Sequence, residues 1–393
     1  MDSLSGIGEQ LFSVLGNRFI SLSGLSGTAL SRGIDHYQKG DYEGAIREFR
    51  RAISLDPYSD NSLKAYDFIA QAYLKLKRPE DAKKAYKEAM RLFPQEDSLY
   101  LKLGNLYYDE SDYQKAEAEY LRAVRINPSS ENLYPLGQVY LSTKRYKEAE
   151  EVFQRILRYE PGNYGALYSL GKVYTEIGLF SEAIEKFKGA IEIKRDFAYV
   201  YYDLGAVYAR MGEFDRAQEQ VKILEGLNKE LSIELKAYIY RIKRPAMEFV
   251  RTPFNMKKGP GTPLSSLDPV FLNPDASKDF SIVFYFDKEM DRSSVENVFN
   301  WSISRTYDIH HGGLYNWGVP LPETEVNIYP IPKMVIYNSD ARSATVYFTL
   351  KQNSTADGTI DPSHIVFRFY GKDTYGNTID PAKDEYTGLS LIV

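Results

Sequence analysis

The chain has 393 residues, of which 43% are hydrophobic and 26% charged, with a formal net charge of −5 and no cysteine. That length calls for two or three domains and allows sizeable buried cores. The absence of any basic run argues against nucleic acid as a partner, and the absence of cysteine excludes disulfides, thiolate zinc sites and thiol nucleophiles. No apolar run reaches the ~20 residues of a membrane span.

The first stretch, "MDSLSGIGEQLFSVLGNRF", has no cation before Arg18, so it is not a standard secretory signal. Leu4, Ile7, Leu11, Val14 and Leu15 recur at helical spacing and predict a short amphipathic helix. "SLSGLSGT", residues 21–28, reads as a linker, so residues 1–30 form an N-terminal segment outside the first folded domain.

From there the chain repeats itself. A small residue in the pattern xxAxxxF falls at Ala45, Ala82, Ala116, Ala149, Ala183 and Ala217, at spacings of 37, 34, 33, 34 and 34. Upstream of each lies another small residue, at Gly33, Ala70, Gly104, Gly137, Gly171 and Gly205. Downstream lies a large apolar one, at Phe49, Tyr86, Tyr120, Phe153, Phe187 and Val221. Pro57, Pro94, Pro128 and Pro161 close the first four units, where a proline cannot continue a helix. A period near 34 residues holds two helices and their turns, which nest only where small side chains meet at the crossing.

These positions resemble the tetratricopeptide repeat over about residues 31–230, in six units. The first spacing carries three extra residues around "YSDNS", which should lengthen one turn between units, and Pro135 falls near the start of a first helix. "LNKELSIELKAYIYRIK", residues 227–243, reads as a terminal helix over the last apolar face, giving a solenoid over 31–243.

Tyrosine is abundant, 33 of 393 residues. Tyr73, Tyr107, Tyr140, Tyr174 and Tyr208 fall on the core stripe of the first helices. Another stripe, at positions 5, 9 and 12 of each unit, shares one helix face. In tetratricopeptide repeats that face lines a concave groove. It carries Tyr134, Tyr168 and Tyr202, with Tyr199 and Tyr108 beside them and a rail of Gln71, Asn105, Gln138 and Lys172. Aromatic faces suit the side chains of a bound peptide and amides suit its backbone, so a protein or peptide partner is expected there. The basic-plus-asparagine clamp for a terminal carboxylate is not matched, since Lys172 stands alone.

At Arg244 the composition changes. Residues 244–269 are proline-rich and read as a linker or extended strap. After them come alternating runs at 280–286, 299–304, 333–338, 343–350, 364–370 and 388–393, which predict an antiparallel sandwich over 270–393. The stretch Phe286–Val295, "FDKEMDRSSV", together with "DTYGN" at Asp373–Asn377, resembles bacterial immunoglobulin-like domains of the surface-layer type. The usual proline is Glu289 here, and 305–332 reads as an inserted loop. The expected fold class is thus multidomain, all-α plus all-β: a tetratricopeptide solenoid followed by an immunoglobulin-like β-sandwich. That resemblance implies a spacer or adhesive role at a bacterial surface, whereas the missing secretory signal implies the cytoplasm. Both compartments stay open.

Chemistry is sparse. His310 and His311 lack metal-ligand partner spacing, "KKGPGTP" at 257–263 lacks the end of a phosphate loop, and Asp373, Asp380 and Asp384 do not follow a calcium-loop pattern. No nucleophile, metal or cofactor constellation stands out. The reading is a non-enzymatic protein–protein interaction scaffold without cofactors. The alternatives are a component of a bacterial surface appendage, in which copies of the chain would assemble into an oligomer, and a glycan binder using Trp301, Tyr315 and Trp317.

Overall fold

Helices occupy the first part of the chain because the small–aromatic pairs of each unit meet face to face. A computed structural model describes residues 22–252, 258–307 and 313–388. Helix α1 covers 22–38, followed by α2 (Tyr42–Leu55), α3 (Asp60–Lys75), α4 (Pro79–Leu92), α5 (Asp97–Asp109) and α6 (Tyr113–Ile126). Then come α7 (Ser130–Ser142), α8 (Tyr146–Tyr159), α9 (Tyr164–Glu176), α10 (Phe180–Ile193), α11 (Ala198–Arg210), α12 (Phe214–Leu227) and α13 (Lys229–Ile242). Odd-numbered helices from α1 to α11 are the first helix of a unit and even-numbered ones from α2 to α12 the second. By compactness the chain divides in two: one part runs to Val207 and includes Ile223–Leu231, and the other comprises Tyr208–Lys222 and everything from Ser232 onward.

In the first part, the glycines of the first helices lie directly against the aromatic rings of the second. A methyl group built on Gly33, Gly104, Gly137 or Gly171 would fall 2.4–2.6 Å from Phe49, Tyr120, Phe153 or Phe187. Those rings are fully buried, and Ala45, Ala82, Ala116, Ala149 and Ala183 are inaccessible beside them. Tyr73, Tyr107, Tyr140 and Tyr174 are buried as expected of core-stripe aromatics. Each turn from first to second helix passes through one left-handed residue, Gly40, Lys77, Ser111, Lys144 and Gly178 in order. Side-chain caps from Asp41, Ser59, Asp112, Ser129 and Asn163 satisfy first-turn N–H groups.

Several expectations need correction. The segment 21–28 is not a linker: from residue 22 it is helical, with Ser26 fully buried and its Oγ donating to the Ala52 carbonyl at 3.0 Å. Ser26 is there for close contact with the second helix, while Gly24 has nothing within 4 Å of where a Cβ would stand. The rest of the N-terminal amphipathic segment, with Leu4 to Leu15, lies outside the described residues. The three extra residues near "YSDNS" do not lengthen a turn. They extend α3 to 16 residues, where α5, α7, α9 and α11 have 13, because Ser59 caps the helix one turn early. Pro135 sits in the second turn of α7, which continues through it.

In the second part, β1 (Met247–Arg251), β3 (Ser277–Phe286), β5 (Met334–Asn338) and β6 (Ser343–Lys351) form an antiparallel sheet in the order β1-β3-β6-β5. A second antiparallel sheet has the order β4-β8-β9, from Trp301–Arg305, Ile365–Phe369 and Glu385–Thr387. A two-residue pair joins β2 (Thr262–Pro263) to β7 (Thr359–Ile360), and α14 (Arg292–Glu296) is a single turn. Phe284 packs against Trp301 and Phe367 at 5.1 and 5.8 Å, and Phe286 against Phe369 at 5.5 Å, so inner faces of both sheets share one core. Residues 244–269 are therefore more than a linker: β1 is an edge strand paired to β3, and Leu264 is fully buried. The prolines on either side of β1 in the sequence hid it, although β1 itself contains none.

The two stretches that carried the immunoglobulin-like resemblance meet in space. Met290 bridges Asp373, and the Asp291 N–H donates to the Lys372 carbonyl. Between them lies a fully buried ion pair, Lys288 Nζ to Asp373 Oδ2 at 2.5 Å. Lys288 also donates to the carbonyls of Tyr240 and Lys243, at the C-terminal end of α13. Asp373 is thus engaged by lysine and by the Tyr375 and Asn377 N–H groups, a set of donors that leaves no calcium role.

Candidate functional site

The stripe of tyrosines and amides in the first helices is positioned by the same repeat that builds the core. In α9, Asn163 caps the helix, Gly171 seats it on Phe187, and Tyr168 projects one turn before that glycine. Its ring lies 6.0 Å from Phe187 and 4.9 Å from Phe197, so one edge is anchored in the core. Its hydroxyl donates to Asp203 Oδ2 of the next unit at 2.7 Å. Burial and then the neighbouring Asp203 charge push the Tyr168 phenol well above its ordinary range. Burial likewise raises the Asp203 carboxyl, although the Tyr168 hydroxyl and the charge of Lys172 oppose that rise.

Other members of the stripe are bonded within or between units. Gln138 Nε2 donates to Ser169 Oγ at 2.8 Å, and Ser169 Oγ in turn donates to the Tyr134 hydroxyl at 3.2 Å. Tyr134 rests edge-on against Phe153. The Tyr108 hydroxyl meets Ser142 Oγ at 2.9 Å. Asn105 Oδ1 accepts from Tyr120, and Gln71 donates to Asp67, which also binds Tyr86 and pairs with Lys102 at 2.8 Å. Lys172 stands 5.6 Å from the Tyr168 ring centre. Tyr202 is half-buried, Asn105 is exposed and Tyr199 is 57% exposed.

Tyr134 and Tyr199 both lie near enough to Tyr168 to add to the rise of its phenol, and Gln138, Lys172 and Ser169 fall in the same region. Tyr108, Asn105 and Gln71 belong to earlier units. The hydroxyls of Tyr134, Tyr168 and Tyr108 hold neighbouring repeats together, so the capacity left for a partner lies mainly in ring faces. Sequence reasoning missed Ser169, Asp203 and Phe197. The signal for Phe197 was available: it occupies the slot where Ser129 and Asn163 cap earlier helices. The glycan alternative loses two of its three residues, because Trp301 and Tyr315 are buried in the β-rich core and only Trp317 is exposed. His310 and His311 lie outside the described residues, and among the described residues no cluster of three or more His, Asp or Glu could hold a metal ion. No helix among them is long and apolar enough to cross a membrane.

Tetratricopeptide repeat models match residues 25–95, 69–131 and 171–212. The helical half is built of tetratricopeptide repeats. A model described as anaphase-promoting complex, cyclosome, subunit 3 matches residues 109–190. Tetratricopeptide repeat protein 21B of Mus musculus is 30% identical over 100 residues, covering 25% of this chain and 8% of that protein. Type IV pilus assembly protein PilF of Pseudomonas aeruginosa is 27% identical over 134 residues, covering 32% of this chain and 50% of PilF. A solved structure of Pseudomonas aeruginosa PilF aligns at 21% identity with a TM-score of 0.45, covering 55% of this chain and 99% of that one. The chain thus spans half or less of the curated relatives named here.

Proposed function

We propose that this chain is a non-enzymatic interaction scaffold that holds an extended partner segment along the first-helix face of units four to six. The observation that carries this reading is the convergence of Tyr134, Tyr168, Tyr199, Gln138 and Lys172 across successive units, with the Tyr134 and Tyr168 hydroxyls turned to internal bonds and ring faces left over. Rigid aromatic faces make large contacts at small entropic cost, and a lysine and an amide beside them add polar selectivity. Relatives that share the repeats bear names such as anaphase-promoting complex subunit 3 and type IV pilus assembly protein, which supports a place within a larger assembly. The β-rich part fits an immunoglobulin-like sandwich serving as spacer or second contact, a reading supported by its two antiparallel sheets around one core. The pilus relative favours a second reading, a component of a bacterial appendage.

The test uses Tyr134→Ala combined with Gln138→Ala in the full chain. The partner is first identified by mass spectrometry with the native protein, then purified and titrated against both forms. Affinity should fall by about tenfold or more while helical content is retained. Equal affinity would remove the groove reading.

A further inference from the structure

We infer that the turn between units five and six forms an aromatic pocket for an acidic partner segment bearing an aromatic anchor residue. This rests on the groove reading above and names the chemistry of its occupant. The pocket begins where a local preference, kept before α3, α7 and α9 but not before α5, gives way to an aromatic ring. Ser59, Ser129 and Asn163 precede α3, α7 and α9, and each accepts a bond from a first-turn N–H. Helix α11 begins at Ala198, and the residue in that slot is Phe197, whose side chain can accept nothing. A helix that gives up its cap for a phenyl ring has exchanged local stability for something else, and such exchanges concentrate at functional positions.

The Phe197 ring gathers three tyrosines. Tyr168, Tyr164 and Tyr199 stand at 4.9, 5.6 and 6.3 Å from it, all edge-to-face. Tyr199 has no counterpart in the other units, where the same position holds Gly27, Lys64, Ser98, Glu131 and Gly165. The rim is open, with Tyr199 57% and Tyr164 36% exposed, while Phe197 and Tyr168 are half-buried beneath it. An aromatic or ring-shaped anchor fits here because edge-to-face contacts extend readily to a fifth ring.

Charge fixes the rest of the occupant. Lys194 sits 4.8 Å from the Tyr164 ring centre and 5.9 Å from that of Phe197, with Nζ donating to the Tyr164 hydroxyl. Lys172 sits 5.6 Å from the Tyr168 ring centre. Among the described residues neither ammonium is in an ion pair; the Asp203 carboxyl, bonded by the Tyr168 hydroxyl, tempers the charge of Lys172, and Lys194 carries most of the attraction. Two ammoniums resting on ring faces attract carboxylates and repel a third cation. A methylated lysine, the usual guest of an aromatic cage, is therefore disfavoured.

The full chain is titrated with a fluorescein-labelled peptide of alternating Glu and Trp, followed by fluorescence polarisation. Gln–Trp, Glu–Ala and Lys–Trp peptides are run beside it. The Glu–Trp peptide should bind tightest and weaken with salt. Phe197→Ser, which restores a cap, and Tyr199→Ala, which removes only an exposed ring, should each weaken it about tenfold. Lys172→Gln with Lys194→Gln should flatten the salt dependence. The inference is overturned if Gln–Trp or Lys–Trp binds equally well, or if neither Phe197→Ser nor Tyr199→Ala alters binding. The groove reading fails separately: Tyr134→Ala with Gln138→Ala would then leave the native partner's affinity unchanged. If that variant loses the native partner while Phe197→Ser and Tyr199→Ala keep it, the pocket falls and the groove stands.

Discussion

Tyr168 donates its hydroxyl proton to Asp203 across 2.7 Å, inside a surface that disfavours the carboxylate charge. Burial raises the Asp203 carboxyl above its ordinary value, against the opposing pull of Tyr168 and Lys172. A carboxyl raised in the folded state contributes stability that is fully present below the unfolded value, near pH 4, and is lost as pH rises through the folded value. Asp203→Asn keeps an acceptor for Tyr168 and removes the charge. The variant is therefore expected to be more stable than the native protein at pH 7, by an amount on the order of one hydrogen bond, ~1 kcal/mol. That advantage should shrink as pH falls toward about 4. Urea titrations followed by helical circular dichroism at both pH values check it, and a variant less stable at pH 7 would show that the charge is needed where it stands. Little of this was legible in the sequence. Tyr168 could be placed on its stripe from spacing alone, but its bond to Asp203 spans 35 residues and depends on how far two helices lean together.

Helices are the scale at which the sequence spoke most clearly. Gly33, Gly104, Gly137 and Gly171 recur because each first helix touches a buried ring of the second. The contact is tight: a methyl on Gly171 would fall 2.6 Å from Phe187 Cδ1. In an isolated helix, Gly→Ala gains ~1 kcal/mol of propensity. Here Gly171→Ala is expected to lose about 1–3 kcal/mol net, because the ring cannot retreat from a packed core. Adding Phe187→Leu should recover part of that loss, giving a coupling of about 1 kcal/mol in a double-mutant cycle measured by urea unfolding. Additive effects would mean that the two helices adjust independently. The errors at this scale have physical reasons. "SLSGLSGT" looked like a linker because Gly and Ser lower helix propensity, yet Ser26 is buried and bonded to the Ala52 carbonyl of α2. Three extra residues went into α3 rather than a turn because Ser59 offered a cap one turn earlier. β1 was obscured by the prolines on either side of it.

At the scale of the whole chain, α13 illustrates how a boundary drawn from composition differs from one drawn by contacts. Its periodicity made it the last helix of the solenoid, but from Ser232 onward it groups with the β-rich part. The link is chemical. Lys288, only 2% exposed, donates to the Tyr240 and Lys243 carbonyls, where a helix end has free acceptors and a negative dipole. Asn377 donates to the Arg241 carbonyl, and the Tyr240 and Tyr375 rings flank the ammonium at 5.0 and 5.3 Å. Asp373 balances the charge. Burial raises its carboxyl, but bonds from Lys288 and Asn377 outweigh burial and hold it below the usual range. In the sequence, "FDKEM" and "DTYGN" were visible as motifs, whereas a lysine that is buried looks like any surface lysine until its partner 85 residues away is placed. Lys288→Met leaves Asp373 buried without a counterion and frees two helix-end carbonyls, so it should cost about 3–5 kcal/mol in the β-rich part. Lys288→Met with Asp373→Asn should recover some of it. Amide hydrogen exchange gives the sharper readout: in the native protein the last turn of α13 should open together with β3 and β8, and in Lys288→Met it should exchange well before them. Exchange of that turn unchanged by Lys288→Met would mean that the helix is held by its apolar face alone and that the buried pair serves only the β-rich core.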